Sequence, residues 1–265
     1  MDACRGARSN EVMDAAPDRC PLRDDLVAAH RILAAQGVLD GFGHVSARHP
    51  DRPDRFVMAR MRAPQLVERA DLVELDLAGE AADAGRAAGV RLPAERAIHA
   101  ALYRARPDVA AVCHHHAPSM LPFCVTGVPL VPLFHVGATM GARVPVWDSR
   151  AEFGDTDLLV VDPGQGDSLA RALGDAWTVL MRGHGVTVVA RSLRELVFRS
   201  IYGARNAELQ LAASRLGPIL PLSVGEAEAA AACNLRDAVV ERAWDLWVAQ
   251  ASGSHPVVPS RGAHG

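Results

Sequence analysis

Three consecutive histidines, His114-His115-His116, close a short apolar run, Val109-Ala-Ala-Val-Cys113. On an extended chain, residues i and i+2 project to one side and i+1 to the other. His114 and His116 are therefore spaced to grip one metal ion while His115 faces away; the plainer alternative is a polar strand end. A third ligand decides between the two, and His184 is a candidate. It stands in a tight Arg182-Gly-His-Gly185 turn between two apolar segments, 177–181 and 186–190, that would hold it rigidly. Three neutral imidazoles with an open coordination position suit a catalytic metal site better than a structural one. No cysteine spacing competes for the role. Glu95 adds a carboxylate as a fourth ligand, as a proton carrier beside the ion, or simply as an acidic partner of a helix dipole. Such a donor set accommodates one divalent ion per chain, zinc first, with manganese, cobalt or iron as alternatives.

The elements that must position these residues follow from local patterning. Leu22, Leu26, Val27 and Leu33 recur at helical spacing, and Gly37 can end that helix. A glycine-rich turn, Asp40-Gly-Phe-Gly-His44, then runs into a short strand. Strands are predicted at 56–58, at the end of 66–77 after a helical turn, at 109–113 and at 158–161. The spacing predicts a helix over 94–105 that Pro107 stops; it leads from Glu95 directly into the His114 strand. A helical turn follows Pro118, and a further helix is predicted over 167–174. Segments 177–181 and 186–190, hinged at Gly-His-Gly, make a hairpin. Ser192-Leu-Arg-Glu195 has the form of a capping box and opens a long helix that Gly217 can end. One last helix is predicted over 225–250. Strands alternating irregularly with helices imply helix, sheet and helix layers.

Composition narrows the chemistry further. The 265 residues read as one domain over 21–250, flanked by a flexible arm, 1–20, and a flexible tail, 251–265. A net charge of −3 leaves no basic excess to neutralise phosphates, which excludes a nucleic-acid binder. All 28 basic residues are arginine, and the absence of lysine excludes Schiff-base, pyridoxal-phosphate and P-loop chemistry. An electron sink, if the reaction needs one, is then the metal. The five cysteines are scattered, without a CxxC, as expected of reduced thiols. The first 20 residues hold no apolar run of a secretory signal, and no stretch approaches the ~18 apolar residues of a membrane span. The expected location is cytoplasmic, with no membrane partner.

Taken in order, Glu95-Arg-x-Ile-His-x-x-x-Tyr-x-x-Arg-Pro-Asp108, Val112-x-His-x-His116 and Arg182-x-His-Gly185 resemble the class II aldolase/adducin superfamily. The similarity extends from Leu22 to Leu216. The resemblance implies a three-layer α/β/α sandwich around a mainly antiparallel sheet, assembled as a homotetramer. It also implies that His114, His116 and His184 bind a divalent metal and that Glu95 is the catalytic acid/base. Gly43-His-Val-Ser46 is similar to the family's substrate-facing Gly-Asn-x-Ser loop, which makes His44 a catalytic and Ser46 a substrate-binding candidate. His44 departs from the family's asparagine; its rival reading is a hydrogen-bonded turn histidine.

Sugar-phosphate aldolases place Ser-Ser before the catalytic glutamate, where this chain has Leu92-Pro93, which offers no hydroxyl to a phosphate. The pattern Asp40-Gly-Phe-Gly-His-Val-Ser-x-Arg-His-Pro50 instead resembles the branch that decarboxylates hydroxy-aromatic dicarboxylates. The implied activity is a metal-dependent lyase that removes CO2 from a hydroxylated aromatic or muconate-like carboxylic acid. Its alternative is an aldolase or epimerase acting on a non-phosphorylated hydroxy-carbonyl compound; the non-enzymatic reading is an adducin-like interaction module. The partner of the enzyme is a small-molecule carboxylate, which Arg60 or Arg62 could grip bidentately unless they merely line a surface loop. His135 falls where the family's active-site wall would be, with core packing as the other reading. His99 shares a helix face with Glu95, consistent with either an ion pair or catalysis, and His30 reads as structural.

Overall fold

The computed structural model describes residues 21–83, 85 and 89–253. The expected arm, 1–20, and residues 254–265 of the expected tail lie outside the described residues, as do Cys4 and Cys20. Cys113, Cys124 and Cys233 are free thiols.

Seven strands form one sheet: β1 (His44–Arg48), β2 (Arg55–Ala59), β3 (Leu72–Asp76), β4 (Ala111–His115), β5 (Val146–Trp147), β6 (Thr178–Met181) and β7 (Gly185–Ala190). Their order is β3-β2-β1-β4-β7-β6-β5. Every pairing is antiparallel except that of β5 with β6. This is the mainly antiparallel sheet that the sequence implies.

The central strand β4 is buried along its whole length, because both faces of the sheet are covered. On one face pack α1 (Pro21–Ala35), α6 (Leu193–Ala213) and α8 (Asp237–Ala251). Leu26, Ile32, Leu196, Phe198, Ile201 and Trp247 join that core to the inward residues Val45, Val57 and Val188. On the other face lie α2 (Arg96–Ala105) and α5 (Pro163–Leu173), whose Ile98, Leu102 and Leu169 pack on Phe56, Met58, Val112 and Val189. The alternation of strand side chains thus supplies two separate cores, the three-layer arrangement. Short helices α3 (Leu121–Cys124) and α4 (Arg150–Phe153) lie between strands, and α7 (Val224–Asn234) precedes α8.

Three local expectations are corrected. Segment 158–161 is not a strand. Its amides are satisfied one by one by side chains: Leu158 donates to Thr156, Leu159 to Asp157, Val160 to Glu95, and Val161 to Gln165. Leu158 also adopts φ +69°, which no strand permits. The single helix expected over 225–250 is two helices. Arg236 is extended between them (φ −69°, ψ 141°), and the Asn234 side-chain Nδ2 donates to the backbone carbonyls of Ala230 and His135. At the head of α6, Ser192 accepts from the Glu195 amide, but the Glu195 side chain turns to Arg199, leaving the expected capping box half made. The two-residue strand β5 carries no sequence signal of its own length.

Candidate active site and metal centre

The site grows from the end of β4. Strand alternation sends the fully buried His115 ring to the far side of the sheet, where burial pushes its pKa down to about 3. His114 and His116 share the near side, with Nε2 atoms 3.1 Å apart. His184 joins them from the turn between β6 and β7, its ring centroid 4.8 Å from that of His114 and 5.4 Å from that of His116. That turn is pinned from three directions. Arg182 N donates to Trp147, Gly183 N to Cys124, and the Arg182 side chain pairs with Asp148 at 2.7 Å. Gly185 must lack a side chain, since a Cβ there would lie 2.6 Å from His116 Cδ2 and 2.7 Å from His115 O. Gly43 does the same on the neighbouring strand: its φ is +87°, and a Cβ would lie 2.8 Å from His114 O.

Glu95 stands at the N-terminus of α2 but does not cap it with its side chain. The carboxylate instead accepts from Val160 N at 3.0 Å. It lies 3.6 Å from His184 Nε2, 3.8 Å from His114 Nε2 and 3.9 Å from His44 Nε2. Burial acts to raise its pKa, but the neighbouring His44 and His184 imidazoles and the Val160 amide outweigh it. The net effect holds Glu95 below the ordinary carboxylate range.

His114, His116 and His184 each offer a nitrogen within 4.8 Å of the others. The donor chemistry fits a divalent cation. Thr187 Oγ1 lies 3.3 Å from His114 Nδ1 and can accept from its N–H while donating to Met181 Sδ. That leaves the Nε2 lone pair of His114 facing the cluster, the arrangement metal-binding histidines need. Burial, reinforced by the neighbouring imidazoles, drives the pKa of His114 well below its ordinary value, and burial lowers that of His116. Both are therefore held neutral, as ligation requires.

His44, on β1, is the register partner of His114. Its Nδ1 lies 2.6 Å from His99 Nε2. The remaining candidates fall elsewhere. Ser46 is fully buried, bonded to His99 and Tyr103, and has no surface to offer a substrate. Arg60 and Arg62 both close on Asp71, at 2.6 and 3.0 Å, so a substrate carboxylate reaching either would displace that pairing. His135 is exposed and its ring lies against Asn234 of α7. Sequence reasoning missed Thr187, the Val160 amide and Tyr103. Each acts across a fold contact, and of the three only Tyr103 stands in the Glu95–Asp108 motif.

Residues 24–211 match the family described as Class II Aldolase and Adducin N-terminal domain. The decarboxylase tropJ of Talaromyces stipitatus is 34% identical over 255 residues, covering 88% of this chain and 94% of that one. A 3,4-dihydroxyphthalate decarboxylase from Arthrobacter keyseri is 32% identical over 210 residues, covering 75% and 81%. An L-fuculose 1-phosphate aldolase from Glaciozyma antarctica superposes with a TM-score of 0.72 at 24% identity, covering 88% and 89%, a likeness of fold.

Proposed function

The chain belongs to the class II aldolase and adducin family, and on that premise we propose that it is a metal-dependent carboxy-lyase. Its substrate is a hydroxylated aromatic or muconate-like carboxylic acid, converted without oxidation. The observation that carries the reading is the placement of one carboxylate, Glu95, within 3.6–3.9 Å of the imidazoles of His184, His114 and His44. The similarity to two decarboxylases over most of the chain supports the choice of reaction. Leu92-Pro93, just before Glu95, argues against a phosphorylated substrate.

His114, His116 and His184 would hold the ion, zinc in the first instance. When bound, such an ion supplies Lewis acidity toward adjacent substrate oxygens and spreads the charge left when CO2 departs. The chain's own residues handle the proton. Glu95 takes the proton from the substrate hydroxyl as the acid binds. The bond to the carboxyl carbon then breaks, its electron pair stays on the ring carbon, and Glu95 returns the proton there. The carboxylate stays aimed at the site because the Val160 amide holds Oε1. His44 completes the wall beside Glu95. The partners in this reading are a small-molecule carboxylate and further copies of the chain in a homotetramer.

Elemental analysis of the purified protein tests the site. We expect about one divalent ion per chain, by the three-histidine logic of such centres, lost in His114→Ala and His184→Ala. Hydroxylated aromatic dicarboxylates should release CO2, and Glu95→Gln should keep the metal while kcat falls ~10²–10⁴-fold, the usual worth of a general acid/base. Metal with aldehyde release and no CO2 would make the protein an aldolase. No metal under any loading condition would leave the interaction module.

A further inference from the structure

From His44 a row of hydrogen bonds runs into the protein and stops. His44 Nδ1 lies 2.6 Å from His99 Nε2, His99 Nδ1 lies 2.6 Å from Ser46 Oγ, and Ser46 Oγ lies 2.8 Å from the Tyr103 hydroxyl. His99, Ser46 and Tyr103 are each at most 1% exposed, so no solvent enters the row. Its direction is set at the closed end. Among the described residues, the acceptor within reach of the Tyr103 O–H is Ser46 Oγ. Reversing the row would leave the phenol proton buried without a partner, which native interiors avoid.

Tyr103 therefore donates to Ser46, and Ser46 donates to His99 Nδ1. His99 carries its proton on Nε2 and donates it to His44 Nδ1. His44 is left with its proton on Nε2, the atom 3.9 Å from Glu95 Oε2. With Thr187 accepting from its Nδ1–H, the cross-strand partner His114 has the opposite arrangement, its Nε2 lone pair exposed.

We propose that His99, Ser46 and Tyr103 are positioning residues that fix His44 in the Nε2–H tautomer. In that form His44 is a hydrogen-bond donor facing Glu95 and the incoming substrate carboxylate, and it is barred from the metal that His114 is set to bind. The row orients and does not relay. A relayed proton would leave a tyrosinate at Tyr103, where burial pushes the phenol above its ordinary value. The catalytic consequence rests on the lyase reading; the tautomers do not.

The test is 15N NMR of the histidine-labelled, Zn2+-loaded protein, with the His44 signals assigned by their loss in His44→Asn. We expect His44 to be protonated on Nε2 alone in the wild type. Ser46→Ala should mix its two tautomers, Tyr103→Phe should do so to a smaller degree, and Ser46→Thr should restore the single form. His44→Asn should retain the same metal content as the wild type. A wild-type His44 protonated on Nδ1, a tautomer unchanged in both Ser46→Ala and Tyr103→Phe, or metal lost in His44→Asn would each overturn the proposal. If the protein proves to bind no metal or to release no CO2, the lyase reading fails, while the NMR of the metal-free protein still decides the tautomer.

Discussion

Three histidines crowd one carboxylate, and His44 and His114 differ chemically through what each touches on its other nitrogen. His114 Nδ1 hydrogen-bonds Thr187, whereas His44 Nδ1 faces His99. The approach of the chains is equally specific. A methyl group at Gly185 would strike His116 and the backbone of His115 at 2.6–2.7 Å, and a backbone atom cannot swing away. Gly185→Ala should therefore displace His116 and weaken Zn2+ binding by at least about 10-fold, comparable to the loss of a supporting group, while far-ultraviolet circular dichroism stays unchanged. Competition with a chromophoric chelator measures it; undiminished affinity would show the turn to be more pliant than drawn. His114, His116 and His184 were legible as candidates in the sequence because alternation along one strand and one glycine-flanked turn are local properties. Thr187 was not, because its partner lies 73 residues away and a threonine in a strand looks like any other.

At the level of elements, α1 contributes a titration as well as a packing face. His30 is buried within it and donates from Nδ1 to the Leu26 carbonyl, and burial lowers its pKa to about 4. In the fold the ring stays neutral, while the unfolded chain takes up the proton once the pH drops below the ordinary value of 6.5. The stability tied to this neutrality is complete above 6.5, is lost progressively as pH falls toward 4, and changes no further below that. His30→Gln should make the acid limb of a stability-against-pH curve shallower between those values, as read by urea unfolding at fixed pH steps. Identical slopes would remove His30 from the account. Helices were legible where apolar spacing met a stop signal, as in α1 before Gly37 and α2 before Pro107, whereas α5 begins at Pro163, four residues before its expected start. Segment 158–161 misled because Leu-Leu-Val-Val has strand composition. Whether its amides meet another strand or the side chains of Glu95 and Gln165 is settled outside the segment.

Across the whole molecule, a buried ion pair within α6 also anchors that helix to the segments packed against it. Arg199 of α6 is 2% exposed; it pairs with Glu195, donates to the Thr139 carbonyl and lies 4.3 Å above the Trp177 ring next to β6. Burial lowers its pKa to about 10, offset in part by Glu195, so it remains charged at neutral pH. Glu195→Ala should cost about 3–5 kcal/mol by stranding that charge, and Glu195→Leu combined with Arg199→Met should recover much of the loss. Equilibrium denaturation of both variants checks this, and a double variant as unstable as the single one would count against it. Among the described residues, no helix is long and apolar enough to cross a membrane. The amino-acid sequence alone pointed to the family, the layered sheet and His114 with His116 on one side of a strand end, since these rest on short motifs and local spacing. The tertiary structure alone decided that Arg60 and Arg62 share Asp71, that the Val160 amide holds Glu95, and that Ser46 is buried in a hydrogen-bonded row. Hydrogen bonds and ion pairs are strong only when both partners leave water together, and which partners do so is known only when distant segments have packed.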